Sequence, residues 1–213
     1  MFDMDGLLVD SEPLWFQAEG LVMDRLGGSW TADDQHVLLG GSMPVTVAHL
    51  LSKAARPAPP VSVARWLVEA MTQLLTDGPV PVMPGAVELV AEVAAAGLPH
   101  ALVTSSEPEI VTAVLARLPV TFPVIVCASD VAVAKPDPEG YLLAAAKLGV
   151  EPARSIALED SRNGVAAAQA AGYLTVAVPG VVPIEPGPGR VVLPTLAGVT
   201  LPRLRGLAAA AWA

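Results

Sequence analysis

The sequence predicts an α/β protein: a parallel sheet with helices on both faces, plus an all-helical insertion near the N-terminus. Three observations lead there. From about residue 84 onward, short apolar strand-like runs alternate with helix-like segments, the pattern of a parallel sheet built from crossover units. Residues 13–80, in contrast, read as helices only. The chain also opens on an apolar run holding two aspartates two apart with a glycine directly behind, Asp3-Met4-Asp5-Gly6. If that run is a strand, Asp3 and Asp5 share one face of it, and Gly6 lets the backbone turn where the strand ends.

The helical block divides into pieces near 13–26, 32–39, 44–55 and 61–75. Gly27-Gly28, Gly40-Gly41 and Arg56-Pro57-Ala58-Pro59-Pro60 separate them, and Thr31 is placed to cap the second. In the alternating block, Pro84 opens a helix that Gly97 stops, and 101–104 is a short strand. Ser106-Glu107-Pro108-Glu109 has capping-box spacing and starts a helix to about 118. A strand follows at 124–128. Asp137-Pro138 then sets an N-cap with proline at the first helical position, and Gly149 ends that helix. The remaining elements are a strand at 155–158, a helix at 162–171 with Gly172 behind it, strands at 174–178 and 191–193, and a closing helix at 201–210. Residues 182–190, rich in Pro and Gly, read as a surface loop. The helical block at 13–80 thus separates an opening segment, 1–12, from the alternating block, 81–213.

A chain of 213 residues holds one sizeable core and a smaller unit. Hydrophobic residues make up 53% and charged residues 15%, which is the composition of a folded chain. Pro, Gly or a charge interrupts every apolar stretch before it reaches membrane-spanning length, and no basic region precedes an apolar segment at the start. The net charge of −9 and pI of about 4.7 argue against nucleic-acid and anionic-membrane partners. The single cysteine, Cys127, excludes an internal disulfide framework, reads as core, and fits a reducing, cytoplasmic compartment. A monomer is expected. Only Met1 and Phe2 precede Asp3, whereas a central strand usually has about five or six residues. The natural reading frame is therefore expected to begin upstream; otherwise a charged α-amino group lies close to the aspartates.

In open α/β sheets, ligands bind beyond the carboxyl ends of the strands. The strand-to-helix junctions carry Asp3 and Asp5, then Thr104, Ser105 and Ser106, then Lys135-Pro136, then Glu159-Asp160-Ser161. Taken singly, each has a plain structural reading. Thr104 and Ser106 cap a helix, Lys135 is a solvated lysine, and Glu159-Asp160 is a helix start that favours acids. An Asp-x-Asp-Gly start also suits a calcium loop, but Leu7 and Leu8 stand where that loop needs an oxygen ligand and a glycine. Their shared placement on one rim is what points to a site.

In this order and spacing, with Gly164 after Glu159-Asp160-Ser161, the four motifs resemble the haloacid dehalogenase superfamily of phosphohydrolases. Within it they are most similar to the branch of β-phosphoglucomutase and phosphoglycolate-phosphatase-like enzymes. The resemblance covers nearly the whole chain. It implies a Rossmann-like core and a helical cap domain at 13–80. It further implies a Mg²⁺-dependent hydrolase of a small phosphorylated metabolite, such as a sugar phosphate or a phosphoglycolate-like compound. Asp3 would be the nucleophile that forms an aspartyl phosphate, and Asp5 the general acid and base. Lys135 would neutralise nucleophile and phosphate together. Thr104, with Ser105, would bind the phosphate. Asp160, with Glu159, would hold Mg²⁺ beside Asp3 and the backbone carbonyl of Asp5. Asp5 would need surroundings that let it hold a proton at neutral pH, since an aspartate ordinarily titrates near ~3.9. Cap motion is implied, with hinges at 11–14 and 80–84.

The mutase branch has a histidine in the first cap helix and basic residues around a Gly-x-Ser element. Here Trp15 stands at the first place, and Leu39 and Met43 flank Gly40-Gly41-Ser42 at the second. With no cation to grip a second phosphate, hydrolysis is expected ahead of phosphotransfer between sugar positions. Dehalogenation, which displaces halide without metal, would leave Asp5 and Glu159-Asp160 without a purpose. A non-catalytic binding module is disfavoured because all four motifs are filled. Asp10 and Ser11 are expected to brace the loop after the first strand. His36, His49 and His100 show no metal spacing, and Trp15, Trp30 and Trp66 fit helix packing, with Trp15 able to line a cleft.

Overall fold

The computed structural model describes residues 1–38 and 41–212. The helical block forms as α1 (Glu12–Leu26), α2 (Ala32–Leu38), α3 (Met43–Lys53) and α4 (Pro60–Asp77). The alternating block follows as α5 (Ala86–Ala95), β1 (Ala101–Val103), α6 (Pro108–Leu115), β2 (Val124–Val126), α7 (Glu139–Leu148), β3 (Ile156–Glu159), α8 (Arg162–Ala170), β4 (Leu174–Ala177), β5 (Arg190–Val192) and α9 (Leu201–Ala211).

The opening segment ties the sheet together. Phe2 bridges in parallel to Leu102 on one side and to Leu158 on the other, through N–H bonds from Phe2 to Ala101 O, Val103 to Phe2 O, Asp3 to Leu158 O and Leu158 to Met1 O. With the parallel pairs β1–β2, β3–β4 and β4–β5, the order is β2, β1, opening segment, β3, β4, β5. The expected first strand is thus present as a paired extended segment. The ladder stops at Asp3, because Met4 O turns back to accept the N–H groups of Leu8 and Val9.

The period-two alternation of each strand sorts side chains between two faces. Phe2, Met4, Leu102, Leu158 and Val176 pack with α5, α6 and α9 in the larger apolar cluster. Ala101, Val103, Val126 and Ala157 pack with α7 and α8 in the second, where alanines such as Ala144, Ala145, Ala167 and Ala168 let helix and sheet approach closely. The sheet therefore carries helices on both faces.

A third cluster sits within the helical block, around Val22, Met23, Leu26, Leu50, Val63 and Leu67. The ends of that block belong to the larger cluster instead, through Leu14 and Ala18 of α1 and Met71 and Leu75 of α4. The two connecting segments run antiparallel beside each other: Val9 bridges Val82, Asp10 N–H donates to Pro81 O, and Met83 N–H donates to Leu8 O.

Several local expectations shift for identifiable reasons. Ala128 leaves β2 to begin a short 3-10 turn, because the Asp130 carboxylate accepts the Cys127 N–H at 2.9 Å. Helix α6 begins at Pro108 without a side-chain cap, since the Ser106 hydroxyl is used elsewhere. At α2 the capping roles are reversed: the Asp34 carboxylate accepts both the N–H and the hydroxyl of Thr31. The first helix starts at Glu12. Of the predicted second helix and the loop after it, Leu39 and Gly40 lie outside the described residues. Cys127 is buried as expected. Among the described residues, no helix is long and apolar enough to cross a membrane.

Candidate active site

The carboxyl ends of the strands and the facing side of the helical block enclose a cavity of about 650 Å³, within the usual range for small-molecule sites. Asp3, Asp5, Thr104, Ser105, Lys135 and Asp160 all line it. Glu159 stands behind them, fully buried.

Each group is set by its local chain. Asp3 is the last laddered residue of the opening segment, and Gly6 makes the turn beyond it with φ 77°. A Cβ on Gly6 would lie 2.0 Å from Asp160 Oδ2, so the glycine also admits the Asp160 carboxylate against the backbone. Lys135 rides on the loop before α7. The Glu139 carboxylate holds that loop by accepting the N–H groups of Ala132 and Val133, and Asp137 Oδ1 accepts the Glu139 N–H. Glu159 ends β3, and Ser161 caps α8 by accepting the Gly164 N–H at 3.1 Å. Gly164 is required there, since a Cβ would fall 1.9 Å from Glu159 Oε2.

Lys135 Nζ donates to Asp3 Oδ1 at 2.6 Å, to Glu159 Oε1 at 2.6 Å and to Val103 O at 2.9 Å, which uses all three of its protons. Glu159 Oε1 also accepts from Tyr141 OH at 2.5 Å. Carboxylate oxygens of Asp3, Glu159 and Asp160 lie within 4.8 Å of one another. Three acids thus share one lysine. Burial, then the charge of Glu159, pushes Asp3 up to about 8 against the opposing pull of Lys135. Burial, then the charges of Asp3 and Glu159, pushes Asp160 up to about 9. Burial alone would lower Lys135, but the charges of Asp3 and Glu159 overcome it and raise it above its ordinary value.

Asp5 has different company. Ser11 Oγ donates to Oδ1 at 2.6 Å, and Ser106 Oγ donates to Oδ2 at 2.7 Å, with Thr104 Oγ1 more distant at 3.4 Å. Hydroxyls both donate and accept, so this shell suits the ionised and the protonated acid alike. Ser11, expected only to brace the loop after the first strand, thus bonds the Asp5 carboxylate itself. Thr104 Oγ1 also accepts the Ser106 N–H at 3.0 Å.

Sequence reasoning missed Tyr141 and Arg162, and left Ser106 open between the rim and a helix cap. The Ser106 hydroxyl binds Asp5. Tyr141 occupies an apolar helix position and gave no signal. Arg162, at the start of α8, lines the cavity while donating to Pro183 O. Glu159 differs from the expectation in emphasis: its Oε1 is occupied by Lys135 and Tyr141, so it anchors the lysine as well as belonging to the acidic group. Trp15 and Met43 line the cavity. His36 is exposed, His49 is half-buried, and the buried His100 bonds Leu98 O and Thr121 O.

The chain is similar to known proteins in sequence and in fold. A family model described as haloacid dehalogenase-like hydrolase matches residues 1–172. Hexitol phosphatase B of Escherichia coli is 35% identical over 184 residues, covering 84% of this chain and 82% of that protein. Phosphorylated carbohydrates phosphatase of Thermotoga maritima is 33% identical over 178 residues, covering 81% and 80%. Among solved structures, CbbY from Rhodobacter sphaeroides in complex with phosphate superposes with a TM-score of 0.85 at 30% identity, covering 96% of this chain and 97% of that one. A mutant of the same protein, in complex with xylulose-(1,5)bisphosphate, gives 0.87 at 31%, covering 95% and 96%. The chain belongs to the haloacid dehalogenase-like hydrolases, a family of enzymes.

Proposed function

We propose that the chain is a Mg²⁺-dependent phosphatase that hydrolyses a small phosphorylated polyol or sugar through an aspartyl phosphate on Asp3. The observation that carries this reading is the Asp3 carboxylate, held 2.6 Å from Lys135 and beside Asp160, opening on the same cavity as Asp5. The names of the phosphatases it resembles support the substrate class.

In the first half, Asp3 attacks phosphorus, the bond from phosphorus to the ester oxygen breaks, and that oxygen takes the proton of Asp5. In the second, Asp5 takes a proton from water, the water oxygen attacks phosphorus, and the bond to Asp3 breaks, releasing orthophosphate. The Thr104 hydroxyl and Ser105 orient the phosphoryl oxygens, and Lys135 offsets their charge.

The residues present fit a hard divalent cation: an all-oxygen donor set in which three acids share one lysine, with Asp3 and Asp160 pushed up by burial and mutual charge. Asp3, Asp160 and the Asp5 carbonyl would hold Mg²⁺, with Glu159 behind. Among the described residues, no backbone N–H outside the regular elements donates to that carbonyl. When bound, the ion supplies charge stabilisation that keeps Asp3 ionised against a phosphate dianion.

Residues 13–80 act in this reading as a cap that closes over the substrate, hinged where the paired segments at 8–10 and 81–83 meet. Hydrolysis of a generic aryl phosphate with Mg²⁺ tests the reading. Turnover is expected to vanish with EDTA and to fall by about 10³-fold or more in Asp3→Asn. Undiminished activity in EDTA contradicts the metal role, and interconversion of β-glucose 1-phosphate without net phosphate release would replace hydrolysis by mutase chemistry.

A further inference from the structure

The helical wall of the cavity carries an acid that the proposed chemistry leaves unused. Glu19 follows Glu12 by seven residues and Trp15 by four on α1, so the three share one helix face, and all three line the cavity. Glu19 is only 4% exposed. Its Oε2 is enclosed with no hydrogen-bond partner, and so is Trp30 Nε1. Burial, then the charge of Glu12, pushes Glu19 up to about 7; the Trp30 indole is near enough to moderate that rise but falls outside hydrogen-bonding geometry.

An acid kept for structure is paired, as Asp34 is with Lys53, His49 and Thr31. A buried carboxylate oxygen that sits beside the Trp30 indole but out of hydrogen-bonding geometry with it costs stability, and a residue that does so on a cavity wall points to a ligand that completes it. Around Glu19 the helices contribute Trp15, Gln35, Leu38, Ser42, Met43 and Thr46 to the wall, none of them cationic. Among the described residues the helical wall therefore offers the substrate an acceptor and no cation, and the one cavity-lining cation besides Lys135 is Arg162, which comes from the start of α8.

We propose, on the basis of the phosphatase reading above, that Glu19 is the specificity-determining residue of this cavity: it accepts hydrogen bonds from hydroxyls on the substrate's carbon chain and turns away a second phosphoryl group at the far end. A hydroxyl satisfies the stranded acceptor, whereas a phosphate dianion against it adds a like charge in a poorly solvated place. The substrate class is thus a polyhydroxylated monophosphate. That separates this chain from the structurally similar CbbY, a mutant of which was solved with a bisphosphate.

The test compares wild type, Glu19→Gln and Glu19→Leu with Mg²⁺ on three probes: the best polyol monophosphate from a three- to six-carbon panel, 4-nitrophenyl phosphate, and xylulose 1,5-bisphosphate. In Glu19→Leu the kcat/KM ratio of polyol to aryl substrate is expected to fall about 10-fold or more, carried by KM. Glu19→Gln, which keeps an acceptor oxygen, falls between, and the bisphosphate gains relative to the polyol monophosphate in both variants. Glu19→Leu is also expected to raise Tm, because the unpaired carboxyl is gone. An unchanged ratio in both variants overturns this inference alone. So does a lower Tm with all three substrates losing rate in parallel, the signature of a packing role. Failure of wild type to turn over any of the three overturns the phosphatase reading, and this inference with it.

Discussion

Two lysine–carboxylate clusters in this chain have opposite electrostatics. In the helical block, Asp34 alone receives Lys53, the Thr31 hydroxyl at 2.6 Å, the Thr31 N–H at 3.0 Å and His49 Nε2 at 3.1 Å. Those hydrogen bonds, Lys53 first, hold its carboxyl well below the usual range. At the sheet rim, Lys135 is divided between Asp3 and Glu159 while Asp160 crowds the same space, and Asp3 and Asp160 are pushed up to about 8 and 9. One cluster is balanced by its own residues and the other is short of positive charge. In the function proposed above, that surplus of acid is the place a cation would fill, whereas the Asp34 cluster needs nothing from outside.

The strongest way to break this contrast is to remove each lysine. Lys135→Met strands buried carboxylates, so a loss of about 3–5 kcal/mol is expected in denaturant unfolding, together with loss of phosphatase turnover. Lys53→Met, at a partly exposed pair, should lower Tm only slightly and keep kcat. Equal effects would erase the distinction.

The pH dependence sharpens it. Asp3 and Asp160 have folded-state pKa values of about 8 and 9, above an ordinary value of 3.8. Between those limits the folded chain holds protons that the unfolded chain has released, so stability falls as pH rises through the window. In EDTA, Tm is expected to drop steadily from about pH 5 to pH 9, and saturating Mg²⁺ should flatten the decline. A metal-free Tm that rises over this range would show the rim to be balanced like the Asp34 cluster.

The sequence made the outline of this site legible for a physical reason. Strand ends and helix starts are punctuated by Gly, Pro and capping residues, and the groups at those junctions must fall on one rim of a parallel sheet. Asp3, Asp5, Thr104, Ser105, Lys135 and Asp160 were found that way. What stayed hidden depends on side-chain direction. Ser106 had the spacing of a capping box, and only the fold shows its hydroxyl turned to Asp5. Tyr141 at an apolar helix position looks like any core residue until its OH meets Glu159. Glu19 drew no reading from the sequence, and its burial shows only in the fold. Gly164 was visible as a motif member, but its reason, room for the Glu159 carboxylate, is a tertiary contact.

The most direct test of the charge deficit is calorimetric titration of Mg²⁺ into the purified chain near pH 7.5, repeated in two buffers of different ionisation enthalpy. Binding at one site with release of protons is expected, since Mg²⁺ displaces those held on Asp3 and Asp160, and both signals should be lost in Asp160→Asn. No binding to the wild-type chain, or binding without proton release that survives in Asp160→Asn, would contradict it.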